Sequence, residues 1–243
     1  MKIIHIAGTS GSGKTTFIRD LIPVLETIGL VGAIKHIGHH TITLEEGKDT
    51  TSFFEAGARI SAGINSEKTM MVTKETSLEE TLVQLCDAGM QFAIVEGFNA
   101  RPYPKIVIGD REGTQKVLIT DPSVDEVIKR LDDFEEFTTA EGFTKELRKE
   151  YRPGMIVLVC TLTCPQIIRK DVIRSAEQDL IKNIGNLSGV FFTQLRFSGK
   201  IPGKDHAEIY FGVCATNTNG AIEAALFATD LLLPLTSMGD GGS

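Results

Sequence analysis

The residues Gly8-Thr9-Ser10-Gly11-Ser12-Gly13-Lys14-Thr15-Thr16 have the types and spacing to hold a chain of phosphates. Glycines at both ends of such a loop let the backbone turn its N–H groups inward, toward phosphate oxygens that side chains would otherwise keep away. A lysine after the last glycine can reach the β- and γ-phosphates, and the hydroxyl that follows can ligate Mg²⁺. A helix opening at that lysine adds the positive end of its dipole. The chain should therefore bind a nucleoside triphosphate.

Two acids could complete a metal site. Glu96 ends the apolar run Phe92-Ala93-Ile94-Val95, so it belongs at the carboxyl end of a buried strand, where a phosphate-loop protein needs an acid to hold Mg²⁺ directly or through water. It can also be read as an exposed acid at a strand end. Asp49, in Gly47-Lys48-Asp49-Thr50, stands at a helix start, aimed at metal or attacking water, or serving as a plain cap; the two roles are compatible. His36, His39 and His40 form a local cluster suited to phosphate contacts, to a transition metal or to a structural role. Arg101 reaches the same crevice if it pairs with a second ligand's phosphate, and otherwise faces solvent. No Asn-Lys-x-Asp or Thr-Lys-x-Asp stretch fixes a guanine base.

These groups need a scaffold, and the pattern around them supplies one. Strands are expected at 2–7, 31–35, 59–64, 68–73, 91–97, 105–108 and 116–119. Helices are expected at 14–28, from Asp49, over 77–88 from the Ser77-x-x-Glu80 capping pattern, and from Asp121-Pro122 to Leu131. Strands alternating with helices imply a mostly parallel sheet covered on both faces. The charge-rich stretch 136–152 reads as a linker, partly helical. Beyond it, 153–236 reads as a small α+β domain: a strand at 155–160, a helix at 165–184, strands at 189–197 and 208–215 paired through a turn, and a last helix from Asn219. Residues 237–243 read as a disordered tail. The expected class is thus an α/β phosphate-loop NTPase fold over 1–135 with a smaller appended domain.

Composition narrows the partners. A net charge of −7 in 243 residues argues against general nucleic-acid or membrane-surface binding. No apolar run is long enough to span a bilayer. A core strand begins at once, which leaves no room for a leader, so the chain is expected to be cytoplasmic. Cys86, Cys160, Cys164 and Cys214 are then expected as free thiols, without the second pair a zinc site would need.

The phosphate loop, Gly32-Ala33-Ile34-Lys35-His36 with His39 and His40, Gly47-Lys48-Asp49-Thr50 with Glu55-Ala56-Gly57-Ala58, and Ile94-Val95-Glu96-Gly97-Phe98 together resemble the MobB family of molybdopterin-guanine dinucleotide biosynthesis adapter proteins over about residues 1–120. The resemblance implies GTP and Mg²⁺ binding, slow GTP hydrolysis, a dimer, and a helper role beside the nucleotidyltransferase that joins GMP to molybdopterin. It places Gly13, Lys14, Thr15 and Thr16 on the phosphates and Mg²⁺; Gly11 and Ser12 of the same loop, with Lys35 and His36 after the second strand, are read from the residues themselves as further nucleotide contacts. Thr15, Asp49 and Glu96 shape the metal site, and Lys14, Asp49 and Glu96 carry the chemistry. Molybdopterin is a possible cargo. The last part, Gly189 to Ala225, resembles in pattern part of the large subunit of molybdopterin synthase. It is too short for a whole such domain and lacks that family's catalytic lysines, so it implies a docking or dimerising module; an unrelated appendage is the other reading. Two other functions fit the phosphate loop: an ATP-dependent, carboxylate-activating enzyme of the dethiobiotin-synthetase type, which also ends a core strand in Glu-Gly, and a metallochaperone GTPase using the three histidines.

Overall fold

The computed structural model describes residues 1–38, 44, 47–75, 77–109, 112–164, 170–198 and 207–237. The chain begins with β1 (Lys2–Ala7), α1 (Lys14–Glu26) and β2 (Val31–Lys35). Then come α2 (Asp49–Glu55), β3 (Ile60–Ile64), β4 (Thr69–Thr73), α3 (Leu78–Asp87), β5 (Phe92–Glu96), β6 (Lys105–Val107), β7 (Val117–Thr120) and α4 (Val124–Lys129). The second part runs through β8 (Glu135–Glu136), α5 (Ala140–Leu147), β9 (Ile156–Cys164), α6 (Lys170–Ile184), β10 (Val190–Ser198), β11 (Ala207–Ala215) and α7 (Thr218–Ser237).

Strands β2-β5-β1-β6-β7 form one parallel sheet, bearing out the expected α/β class. Successive β1 residues point to opposite faces, and both faces are covered, which is why Ile3, Ile4, Ile6 and Ala7 are all apolar. Ile4 and Ile6 pack with Leu21 and Leu25 of α1 and Val127 of α4. Ile3 packs on the other face with Leu78 and Leu82 of α3. One edge of β1 is shared: β6 pairs in parallel with His5–Ala7, and β8 runs antiparallel against Lys2 and Ile3. Strands β3 and β4 make a hairpin outside this sheet.

The second unit is a three-stranded antiparallel sheet in the order β10-β11-β9. Helices α6 and α7 cover one face through Leu180, Ile184, Ala224 and Leu232. The pairing of β10 with β11 matches the sequence reading. The helix expected over 165–184 is described from Lys170, its first residues and the turn at 199–206 lying outside the described residues.

Two expectations need correction. The stretch 136–152, read as a linker, carries α5, whose Phe143 and Leu147 are fully buried. They pack on Tyr210 and Cys214, on the sheet face that α6 and α7 leave open. Spaced i, i+4 among six polar or small residues, they make too narrow an apolar stripe to stand out in sequence. Helix α5 is also pressed against α3: a side chain at Gly142 would stand 2.6 Å from Cys86 Sγ, and Thr139 donates to Asp87 Oδ1 at 2.5 Å. The stretch is therefore a packed layer between the two sheets. Secondly, Pro122 lies before α4 rather than inside it. The helix is opened by a Ser123–Glu126 capping box, while Asp121 turns left-handed and accepts from Gly109 N–H at 2.6 Å.

Candidate functional site

At the carboxyl end of β1 the backbone leaves the sheet at Gly8 and enters α1 through Gly13, which is left-handed at φ 94°. Gly8 is required by close approach: a Cβ there would stand 2.2 Å from the Ile108 carbonyl oxygen. No side chain caps α1, and no acid lies in its first turn, so its leading N–H groups meet no side-chain acceptor of that helix. Lys14 Nζ donates across the loop to the Thr9 carbonyl at 2.5 Å, and that carbonyl also accepts from Ser12 N–H at 3.3 Å. Gly11, Gly13, Thr15 and Thr16 are exposed along the loop and first turn. Ser12 Oγ is buried with no hydrogen-bond partner among the described residues. Uncapped N–H groups, an ammonium and an orphaned hydroxyl on one turn are a donor set for an anion.

The second wall is the end of β5. Glu96 stands in register with Ile6 of β1 on one side and Lys35 of β2 on the other. Its carboxylate pairs with Lys35 Nζ at 3.3 Å, and its carbonyl accepts from His36 N–H at 2.8 Å. Glu96 side-chain exposure is 14%, against 59% for Lys35, so the acid is held in the crevice while the lysine reaches in from solvent. The His36 ring packs on Phe98, centroids 4.4 Å apart. Phe98 takes a left-handed conformation at φ 49°, a strained choice for a non-glycine residue.

The fold therefore brings Lys14, Glu96, Lys35 and His36 to the carboxyl ends of neighbouring strands, where open α/β sheets bind ligands. Asp49 is exposed in the first turn of α2, behind the cap residue Lys48. Its helix packs on β3. Arg101 is engaged by Glu79 at 3.0 Å. His39 and His40 lie outside the described residues, and no group of three or more His, Cys, Asp or Glu able to hold a metal occurs among the described ones.

A family model described as molybdopterin guanine dinucleotide synthesis protein B (MobB) matches residues 3–130. The chain belongs to the MobB family. It is 35% identical over 130 residues to the molybdopterin-guanine dinucleotide biosynthesis adapter protein of Haemophilus influenzae, a match that covers 52% of this chain and 71% of that one. A probable adapter protein of Bacillus subtilis is 34% identical over 110 residues, covering 44% of this chain and 64% of the relative. Among solved structures, Bacillus subtilis MobB is similar over 54% of this chain and 98% of that one, with 25% identity and a TM-score of 0.44. The MobB match stops at the end of α4, so α5 and the second sheet lie beyond it.

Behind the site is a buried polar group that sequence reasoning missed. His5 is fully buried, and its Nε2 is 2.5 Å from the Gly97 carbonyl, next to Glu96. Burial lowers its pKa to about 4, so the ring is neutral and Nε2 carries the donated proton. Its Nδ1 and the neighbouring Tyr103 hydroxyl have no partner among the described residues. Burial, with the Glu79 charge second, pushes the Tyr103 hydroxyl well above its usual pKa. Buried Lys105 donates to the carbonyls of Arg101, at 2.6 Å, and Tyr103, at 3.2 Å, which ties down the loop after Glu96. Burial, then the nearby Lys116 charge, lowers its pKa. A histidine inside a six-residue apolar strand was the available signal.

Proposed function

We propose that this chain is a GTP-binding adapter that assists the attachment of GMP to molybdopterin. The observation that carries the reading is the uncapped, lysine-bearing start of α1 facing the Glu96–Lys35 pair at the ends of β5 and β2. Gly11, Ser12, Gly13, Lys14 and Thr16 take the phosphates, with Lys35 and His36 on the outer side. Thr15, Asp49 and Glu96 would hold Mg²⁺. Bound Mg²⁺ supplies positive charge against the β- and γ-phosphates. With Glu96 engaged by the metal, Lys35, now paired with it at 3.3 Å, would be free to contact a phosphate. The Arg101–Glu79 pair supports slow hydrolysis, because the arginine nearest in sequence to Glu96 is already committed.

The partner in this reading is the molybdopterin guanylyltransferase, with molybdopterin as cargo. The family relatives are named as adapters, which supports a helper role rather than catalysis of the transfer. The adapter acts as a homodimer. Ile60, Ile64, Met70 and Met71 on the β3–β4 hairpin, with Phe53 of α2, are large apolar side chains more than half exposed, as an interface would require. The second sheet adds a docking or dimerising module. No helix among the described residues is long and apolar enough to cross a membrane. The adapter works in the cytoplasm.

Affinity capture tests the reading. The full chain loaded with Mg·GTP should retain the guanylyltransferase and Lys14→Ala should not. Equal retention by both would refute a nucleotide-controlled adapter.

A further inference from the structure

The two edges of the second sheet are unlike. Strand β10 is blunted by a register shift between Val190 and Phe192 and carries Arg196. Strand β9 has neither device. Its nine residues hold no charge, glycine or proline, and it pairs with β11 without a break. Its other edge pairs with no strand among the described residues. Burial follows from this. Ile156, Leu158 and Leu162 are only partly buried, while their partners Ala215, Val213 and Ile209 are at most 1% exposed. On the face under α5, Val157 and Val159 are also only partly buried. An apolar strand left open along its whole edge is a template for a further strand.

The helix above that edge has an apolar flank. Helix α7 lies over β9 and β11, and α6 over β10. The exposed residues of α6 are mostly polar, among them Arg174, Gln178, Asp179 and Lys182. On α7, Ile222, Leu226 and Leu233 are 48%, 62% and 53% exposed. With Thr229 they recur at i, i+4, i+7 and i+11, which is one flank of a helix. Strands β9 and β10 both run antiparallel to β11, so β9-α6-β10 is a parallel crossover. Its right-handed sense turns this flank of α7 past β9, away from α6. Open edge and apolar flank thus form one shoulder. The only charges on α7 are Glu223 and Asp230, both exposed beside the stripe. A second copy would bring two more carboxylates and another net charge of −7 to this junction, so the shoulder suits a cationic occupant.

We propose that β9 and α7 dock an extended segment of a partner protein, which adds as a fourth strand beside β9. Its backbone bonds to the open edge, its apolar side chains meet Ile222, Leu226 and Leu233, and lysine or arginine beside them meets Glu223 and Asp230. The proposal rests on the reading of the second sheet as a docking module, and not on the nucleotide site.

Fluorescence anisotropy on the full chain tests it with the labelled peptide Lys-Thr-Val-Thr-Val-Thr-Lys, which presents two lysines and two valines on one face of a strand. It should bind at least tenfold more tightly than the counterpart ending in glutamates. Glu223→Gln/Asp230→Asn should abolish that difference, and Leu226→Lys, at an exposed side chain, should weaken binding at least tenfold. Of two peptides N-methylated at odd or at even positions, one should bind and the other should not, because only alternate N–H groups face the sheet. No binding, equal binding of the glutamate peptide, or binding of both methylated peptides would overturn the proposal. It would also be overturned by a Met71→Glu chain that stays dimeric until Leu226→Lys is added, which would give the edge to a second copy. Capture of the guanylyltransferase undiminished by Leu226→Lys, with no peptide bound, would overturn this edge and leave the docking reading to another surface. Mg·GTP binding should be the same with and without Leu226→Lys, so the two sites can fail separately.

Discussion

Lys35 and Glu96 face one another across adjacent parallel strands, Nζ to Oε1 3.3 Å, at the carboxyl edge of the sheet. The pair couples the acid next to the phosphate loop to the strand that leads into residues 36–48. In the proposed adapter, a metal held by Glu96 would leave Lys35 free for a phosphate, and this one ion pair would link nucleotide binding to the segment after β2.

Breaking that pair should separate stability from binding. Lys35 is mostly exposed, so Lys35→Ala should cost under about 1 kcal/mol of folding stability. Glu96→Gln should leave the fold intact and weaken the Mg²⁺ dependence of GTP binding about tenfold or more. Thermal melts and calorimetry with and without Mg²⁺ check both.

His5 should make stability depend on pH. Its folded pKa, lowered by burial to about 4, lies below the ordinary 6.5, so the unfolded chain binds the proton first. The stabilisation is whole above pH 6.5 and is lost as pH falls toward 4, by about 3 kcal/mol in total. Denaturant titrations at pH 7 and pH 4.5 should show a steeper loss for the unaltered chain than for His5→Gln. Parallel losses would place the ring in contact with solvent.

Gly8→Ala should damage the loop itself. The added methyl would meet the Ile108 carbonyl at 2.2 Å on a backbone with φ 151°. The expected cost is about 1–3 kcal/mol, with loss of nucleotide binding. Unchanged binding would mean that the loop reshapes freely.

Phe143→Ala should unpack the layer between the sheets. Phe143 is fully buried against Tyr210, ring centroids 6.1 Å apart. A loss of about 3–5 kcal/mol is expected. If α5 were a mere linker, the melt would hardly move.

The hairpin gives an assembly test. Ile64 is 78% exposed and Met71 57%. Ile64→Lys or Met71→Glu should shift a homodimer toward monomer in light scattering without lowering the melting temperature of the monomer.

The phosphate loop, Glu96 and the parallel sheet were legible because each is a local pattern: glycines at fixed spacing, an acid closing an apolar strand, strands alternating with helices. What sequence hid depends on distant contacts. Helix α5 buries only Phe143 and Leu147 between charged neighbours, and its place is set by α3 and β11, elements about sixty residues away on either side. His5 looked like one more strand residue, and only the packing of Gly97 above it shows that it supports the strand end carrying Glu96. Asp49 was legible at a helix start because an acid is favoured in the first turn.

The most direct measurement is calorimetric titration of the chain with Mg·GTP and Mg·ATP, with Lys14→Ala as control. GTP should bind at least tenfold more tightly than ATP, a difference of about 1.4 kcal/mol, and the variant should lose it. Tighter binding of ATP, or GTP binding that survives Lys14→Ala, would contradict the GTP-dependent adapter.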